Sequence, residues 1–312
     1  MCHDLQNTQK IPQENRRIAC LTVCSKFGYM GSKLSTSNHS ADIIGLTYVY
    51  PVLSRRAGGL SIGINFNTNN TCNWRCIYCQ VPGLTIGVAP EIDLPLLAKE
   101  LRWFLNEVLN GDFYDRFEVD ADKRVIKDIA IAGNGEPTSL KEFPQAIDII
   151  GQIATEMGIF PASDYVLITN GSLIHQARVQ EGLRILHNYG GQVWFKFDSA
   201  TVAGRSLINN AGQSVQAAVE NLLISCELCT TKLQTCLVDY AGRGLPESEK
   251  QAYLAVLTDV KKHCNLQRIM LYTIARASKQ PEASQLVKLS EATLNEFADD
   301  IRQLGFDVSV SV

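Results

Sequence analysis

The chain of 312 residues is 46% hydrophobic, enough to bury a sizeable core in one large domain or two small ones. Its 29 basic residues are outnumbered by 32 acidic ones, and a formal net charge of −3 argues against a surface that coats nucleic acid. No apolar run reaches the ~18 residues of a membrane span. The start, Met1-Cys-His-Asp-Leu-Gln6, lacks the basic and apolar regions of a signal peptide. Ten cysteines without such a signal are expected as reduced thiols in a cytoplasmic protein.

Residues 1–44 read as a polar, aperiodic extension carrying Cys2, Cys20 and Cys24. Met30-Gly-Ser offers a second candidate start; the alternative is a disordered tail. The domain proper is expected over 45–312. From residue 60, short apolar β-rich runs alternate with longer stretches of helical period. Strands are predicted at 60–68, 128–132, 165–169, 192–197, 232–238 and 269–274. The helices that follow them are predicted at 94–109, 143–157, 174–187, 215–226, 247–262 and 291–304, with a further strand at 306–312. Leu97, Leu101, Phe104, Leu105 and Val108 form the apolar stripe of the first helix. Six β-α units in series predict parallel strands with right-handed crossovers and an α/β fold. Six are too few to close the eight-fold barrel, so the expected architecture is an open partial (β/α)6 barrel.

Sites in such folds lie at the C-terminal ends of strands, and polar clusters do follow each predicted strand. They are Asn67, Asn69, Asn70 and a cysteine loop; Gly133-Asn-Gly-Glu-Pro137; Thr169-Asn-Gly-Ser172; Lys196-Phe-Asp-Ser199; Cys236 with Asp239-Tyr240; and Thr273-Ile-Ala-Arg276. The cysteine loop, Thr71-Cys-Asn-Trp-Arg-Cys-Ile-Tyr-Cys79, spaces its thiols C-x3-C-x2-C. Three thiolates on one short loop can hold three irons of a cubic cluster and leave the fourth iron open to a small molecule. Structural zinc would want four ligands in two short pairs, and no C-x2-C or H-x3-H partner follows at the usual distance. Strand alternation puts Lys196 and Asp198 on one face, expected to be the barrel interior, with Phe195 and Phe197 toward the helices. Cys226, Cys229 and Cys236, spaced C-x2-C-x6-C, read either as ligands of an auxiliary cluster or as buried free thiols. Cys264 reads as packing.

The cysteine loop with Tyr78 before its third cysteine, the run Ala132-Gly-Asn-Gly-Glu-Pro-Thr138 and the run Leu167-Ile-Thr-Asn-Gly-Ser172 resemble the radical S-adenosylmethionine (SAM) superfamily. Within it they are most similar to the wyosine-synthesis branch of Fe–S oxidoreductases. The resemblance implies a [4Fe-4S] cluster on Cys72, Cys76 and Cys79. It also implies reductive cleavage of SAM to a 5′-deoxyadenosyl radical, and a flavodoxin- or ferredoxin-like electron donor. It implies that Tyr78 lies against the adenine, a core tyrosine being the alternative, and that Gly133, Asn134 and Gly135 face the SAM amino group while Glu136 adds charge toward SAM or a neighbouring basic side chain; an ordinary Gly/Pro turn is the alternative. Asp198 and Ser199 would meet the ribose or carboxylate. Thr169 and Asn170 would bind SAM or substrate, or cap a helix. Lys196 would pair with the SAM carboxylate or form a Schiff base with a carbonyl substrate, a salt bridge to a nearby acid being the alternative, and Arg276 would hold the SAM carboxylate or an acidic substrate, or lie in a surface salt bridge. The wyosine branch further implies a second cluster on three N-terminal cysteines, a lysine that engages pyruvate, and a tRNA substrate. Cys2, Cys20 and Cys24 lack the wide spacing this needs, and Arg55-Arg56 and Lys261-Lys262 are isolated basic pairs. The substrate is therefore left open between RNA and a small molecule. An activase installing a radical on a partner protein, and a non-enzymatic Fe–S electron carrier, stand as the alternatives.

Overall fold

The structure, a computed structural model, describes Leu34, residues 44–54 and residues 58–312. The expectations for Cys2, Cys20, Cys24, Met30 and Arg55-Arg56 lie outside the described residues. Leu34 itself is buried in the core, with its N–H donating to Phe117 O at 3.2 Å.

The chain order is β1 (Val49–Ser54), β2 (Gly59–Ile64), β3 (Thr71–Cys72), β4 (Thr85–Ile86), α1 (Leu94–Asn110), α2 (Phe113–Arg116), β5 (Ile126–Ile131), α3 (Phe143–Glu156), β6 (Asp164–Thr169), α4 (Ala177–Asn188), β7 (Gln192–Lys196), α5 (Val202–Asn209), α6 (Val215–Leu228), β8 (Thr230–Cys236), β9 (Val238–Tyr240), α7 (Glu247–His263), β10 (Arg268–Tyr272), β11 (Leu286–Lys288), α8 (Glu291–Gln303) and β12 (Val308–Ser311). One eight-stranded sheet runs β1-β2-β5-β6-β7-β8-β10-β12. It is parallel throughout from β2 to β12, and β1 pairs antiparallel with β2. The six expected barrel strands are β2, β5, β6, β7, β8 and β10, with β12 added as the predicted terminal strand. This is an α/β fold of the open partial-barrel kind.

Three local differences matter for the site. Strand β2 ends at Ile64, four residues before the predicted end, because Asn65 and Asn67 turn their side chains to the neighbouring loop. Helix α4 begins at Ala177 rather than at 174, with Gln176 at its cap, so Thr169 and Asn170 cap no helix. Helix α5 is an addition: Thr201 caps it by accepting from Gly204 N, and Asn210, at φ 50°, ends it in the left-handed region. Phe195 and Phe197 are buried in the core, as alternation predicts. Among the described residues no helix is long and apolar enough to cross a membrane.

At the opposite end of the sheet from the polar rim, Asp128 of β5 is buried and accepts from Ser61 of β2. Burial pushes its pKa from the ordinary 3.8 up to about 6, and the nearby Asp164 adds to the shift. A raised folded-state pKa means that Asp128 favours folding while protonated. That contribution is complete below about pH 4 and lost as pH rises through 6, with a ceiling of about 3 kcal/mol. Asp128→Asn is therefore expected to be more stable than wild type at pH 7.5 and to lose the gain on approaching pH 4. Urea melts at both pH values check this; a stability difference that does not change with pH would count against it.

Candidate active site

The cysteine loop is stitched to the end of β5 by asparagines. Asn65 Oδ1 accepts from the backbone N–H of Asn67 and of Asn134, each at 3.0 Å. Asn67 Nδ2 donates to Thr71 O at 3.0 Å, and Asn134 Nδ2 to Asn70 Oδ1 at 2.6 Å. These contacts fill the space beside the glycines. A Cβ on Gly135 would lie 1.9 Å from Thr71 O, and one on Gly133 would lie 2.3 Å from Asn65 Oδ1. Both glycines are thus required by close approach of protein to protein.

Each thiol of the loop has an N–H donor. Trp74 N donates to Cys72 Sγ at 3.5 Å, Val81 N to Cys79 Sγ at 3.5 Å, and Asn209 Nδ2 to Cys76 Sγ at 3.2 Å. Two outside segments clamp the loop. After β10, Ser278 Oγ donates to Ile77 O at 2.7 Å and Lys279 N to Cys79 O at 2.9 Å. From the other side, the end of α5 receives Ile77 N on Ile208 O at 2.8 Å and Arg75 N on Asn209 O at 3.2 Å. Arg75 and Glu282 form a two-pronged ion pair at 2.8 Å that closes the same junction. Burial pushes the thiol of Cys72 up to about 12 and that of Cys76 up to about 11, and it raises Cys79 as well. Without bound metal the thiols are protonated, so loading a cluster must release protons.

The donor set fits a cubic cluster. Three cysteines on one short loop, each sulfur met by an N–H, suit thiolates that each bind a different iron. Among the described residues, no three His, Cys, Asp or Glu side chains converge on a single ion.

Glu136 is buried and its carboxylate is saturated by neutral donors: Thr138 N at 3.1 Å, Thr138 Oγ1 at 2.6 Å, Thr169 Oγ1 at 2.6 Å and Asn170 N at 2.7 Å. Burial raises its pKa against the pull of these donors. The carboxylate joins the ends of β5 and β6 and, among the described residues, meets no basic side chain. A ring of hydrogen bonds then ties β6 to the cysteine loop. Asn170 Nδ2 donates to Asn73 Oδ1 at 2.8 Å, Asn73 Nδ2 to Ser172 Oγ at 2.7 Å, and Ser172 Oγ to Asn170 Oδ1 at 2.7 Å.

At the end of β7, Lys196 and Asp198 meet Tyr78 inside the barrel. The Tyr78 phenol donates to Asp198 Oδ2, and Asn209 Nδ2 donates to the same oxygen at 2.7 Å. Cys236 N donates to Asp198 Oδ1 at 2.8 Å. Lys196 Nζ donates to the Tyr272 hydroxyl at 2.9 Å and stands 5.0 Å from the centre of the Tyr78 ring. Burial works against the ammonium, but Tyr272, Asp198 and Cys76 outweigh it and hold the lysine well above the usual range. Lys196 is therefore a standing cation beside the cysteine loop. Ser199 turns the other way and donates to Glu249 of α7 at 2.8 Å. Arg276 is exposed on the loop after β10, and its carbonyl accepts from Gln80 of the cysteine loop at 3.5 Å.

The structure thus brings together Cys72, Cys76, Cys79, Tyr78, Lys196 and Asp198 at one rim, braced by Gly133, Asn134, Gly135, Glu136, Thr169 and Asn170. Asn73, Asn209 and Tyr272 are members of the site that sequence reasoning missed. Thr201 followed by the stop pair Asn209-Asn210 was the available signal for α5. Cys226 and Cys229 do not join Cys236. They precede β8 and Cys236 ends it, roughly 23 Å away at ~3.3 Å per residue. The auxiliary-cluster spacing is therefore undone by an intervening strand, and Cys229 instead donates its thiol to Gly191 O at 3.3 Å.

The fold and site define an iron–sulfur enzyme of the partial-barrel class. Residues 66–254, more than half of the chain, match the profile of the radical SAM superfamily, and the chain belongs to that superfamily. Its cofactors are accordingly a [4Fe-4S] cluster and SAM. A UPF0026 protein of Helicobacter pylori is 24% identical over 248 residues, covering 78% of this chain and 70% of that protein. The GTPase Obg of Brachyspira hyodysenteriae is 32% identical over 135 residues, 43% of this chain but 17% of that protein. Among solved structures, TYW1 with a lysine–pyruvate adduct bound shares the fold at a TM-score of 0.54 and 13% identity, covering 94% of this chain and 90% of that one. The FeFe-hydrogenase maturase HydG of Carboxydothermus hydrogenoformans shares it at a TM-score of 0.52 and 11% identity, covering 80% and 52%.

Proposed function

We propose that this enzyme abstracts hydrogen from a small carboxylate-bearing substrate held over Lys196 at the mouth of the barrel. The observation that carries this reading is the standing cation of Lys196, inside the barrel beside the cysteine loop, hydrogen-bonded to Tyr272 and attracted by Asp198 and Cys76. The cluster and SAM, when bound at Cys72, Cys76 and Cys79, supply the electron and the 5′-deoxyadenosyl radical. The chain's own residues do the rest. The asparagine and Glu136 network fixes the loop, Tyr78 walls the site and is held by Asp198, and Lys196 offers an ammonium to a carboxylate. The electron is expected from a flavodoxin- or ferredoxin-like donor.

A second reading makes Lys196 a nucleophile toward a carbonyl substrate. It draws on the TYW1 structure, where a lysine carries pyruvate. It requires a neutral amine, which the surroundings of Lys196 disfavour. Of the basic pairs, Lys261-Lys262 lies at the C-terminal end of α7, which leads into β10 on the far side of the sheet from the rim, so it offers nothing to an RNA bound at the site.

The test is isotope transfer. With deuterated carboxylate candidates, reductant and SAM, deuterium is expected in 5′-deoxyadenosine. Label arriving only from a tRNA or a co-purified protein would replace this substrate class. Lys196→Met is expected to weaken carboxylate binding roughly 10- to 100-fold, the loss of a charged hydrogen bond, with iron content unchanged. Equilibrium binding checks this. A borohydride-trapped pyruvate adduct on Lys196, seen by peptide mass, would establish the second reading instead.

A further inference from the structure

The last residue of α5 does more than end a helix. Asn209 is fully buried, and its amide nitrogen bridges two acceptors, Asp198 Oδ2 at 2.7 Å and Cys76 Sγ at 3.2 Å. The orientation of this amide is fixed by chemistry. A carboxylate only accepts, so the NH2 must face Asp198, and its second hydrogen then falls on the sulfur. The arrangement persists although, among the described residues, it leaves Asn209 Oδ1 buried without a partner. Turning the amide over would set that oxygen against the Asp198 carboxylate and, once Cys76 binds a cluster as thiolate, against a second acceptor.

The backbone holds the donor in place independently of the side chain. Asn209 O and Ile208 O accept from Arg75 N and Ile77 N, which flank Cys76. Asn210, in the left-handed conformation, donates its side-chain amide to Arg75 O at 2.9 Å. The side chain of Asn209 can therefore be changed while the docking of α5 on the cysteine loop is kept.

We propose that Asn209 is a positioning residue that raises the reduction potential of the cluster through its N–H···S bond to Cys76. The inference rests on the assignment of Cys72, Cys76 and Cys79 as cluster ligands. A thiolate gathers more negative charge when the cluster takes an electron, so an N–H aimed at it stabilises the reduced form more than the oxidised form. The same amide ties that sulfur to Asp198, and through Asp198 to Tyr78.

Asn209→Leu keeps the size of the side chain and removes the donor; Asn209→Ser restores a shorter one. The reconstituted proteins would be titrated anaerobically with EPR detection, alongside iron counts. The leucine variant is expected to hold the same iron as wild type and to show a reduced-to-oxidised ratio about tenfold lower at the wild-type midpoint, a fall of about 59 mV for one electron. An exchangeable proton coupling seen by pulsed EPR in wild type should vanish, and serine should recover part of the shift. An unmoved midpoint in the iron-replete leucine variant overturns the proposal alone. Loss of iron from both variants with the fold intact by circular dichroism also overturns it, in favour of a clamp with no electronic part. A wild-type chain that assembles no cluster overturns the ligand assignment and the proposal with it.

Discussion

Cys76→Ala is expected to abolish both the cluster and SAM cleavage. Cys76 is the middle cysteine of the loop. Its carbonyl accepts from Cys79 N at 2.9 Å, and its sulfur receives Asn209. Removing it leaves two thiolates for a cluster that needs three, so iron should fall from about four per chain to a trace, with loss of visible absorbance and of 5′-deoxyadenosine. Cys229→Ala is the matched control: this cysteine lies at the other end of β8, so its iron content should equal that of wild type. Retained SAM cleavage in Cys76→Ala would refute the ligand assignment.

Glu136→Leu is expected to be the most destabilising single change at the rim. The leucine would leave the four donors that now converge on the carboxylate, two of them backbone N–H groups, without their acceptor in a buried site. Buried groups left unpaired cost about 1–3 kcal/mol each, and partial relaxation brings the sum to about 3–5 kcal/mol. Thermal melting should fall by roughly 10 °C. Because Asn170 reaches the cysteine loop through Asn73, the variant should also take up less iron. A protein that melts like wild type but binds SAM weakly would instead make Glu136 a ligand of the cofactor, the role the sequence resemblance implies.

The barrel was legible because parallel strands buried on both faces read as apolar runs, and because the chain sets its polar residues just after them. Strand β1 was not: it carries Pro51, which an edge strand tolerates and a sequence pattern counts against it. Helix α5 was hidden by its length of eight residues and by Gly204 inside it. The cysteine loop could be read directly, since spacing on one short segment survives folding. Roles that depend on what faces a residue could not. Gly133 and Gly135 look shaped for a ligand, yet they are shaped for Asn65 and Thr71. Asp198 looks free for a ribose, yet Tyr78, Asn209 and Cys236 already donate to it. Asn209 carried no signal of its own, because its partner Cys76 lies far away in the chain and meets it only across the rim.

The central claim is that Cys72, Cys76 and Cys79 make this chain a SAM-cleaving iron–sulfur enzyme. Anaerobic reconstitution, followed by an iron count and a 5′-deoxyadenosine assay with SAM and dithionite, tests it most directly. About four irons per chain together with 5′-deoxyadenosine is the predicted result. A chain that takes up no iron, or one that binds a cluster and leaves SAM intact under every reductant and candidate substrate, would contradict it.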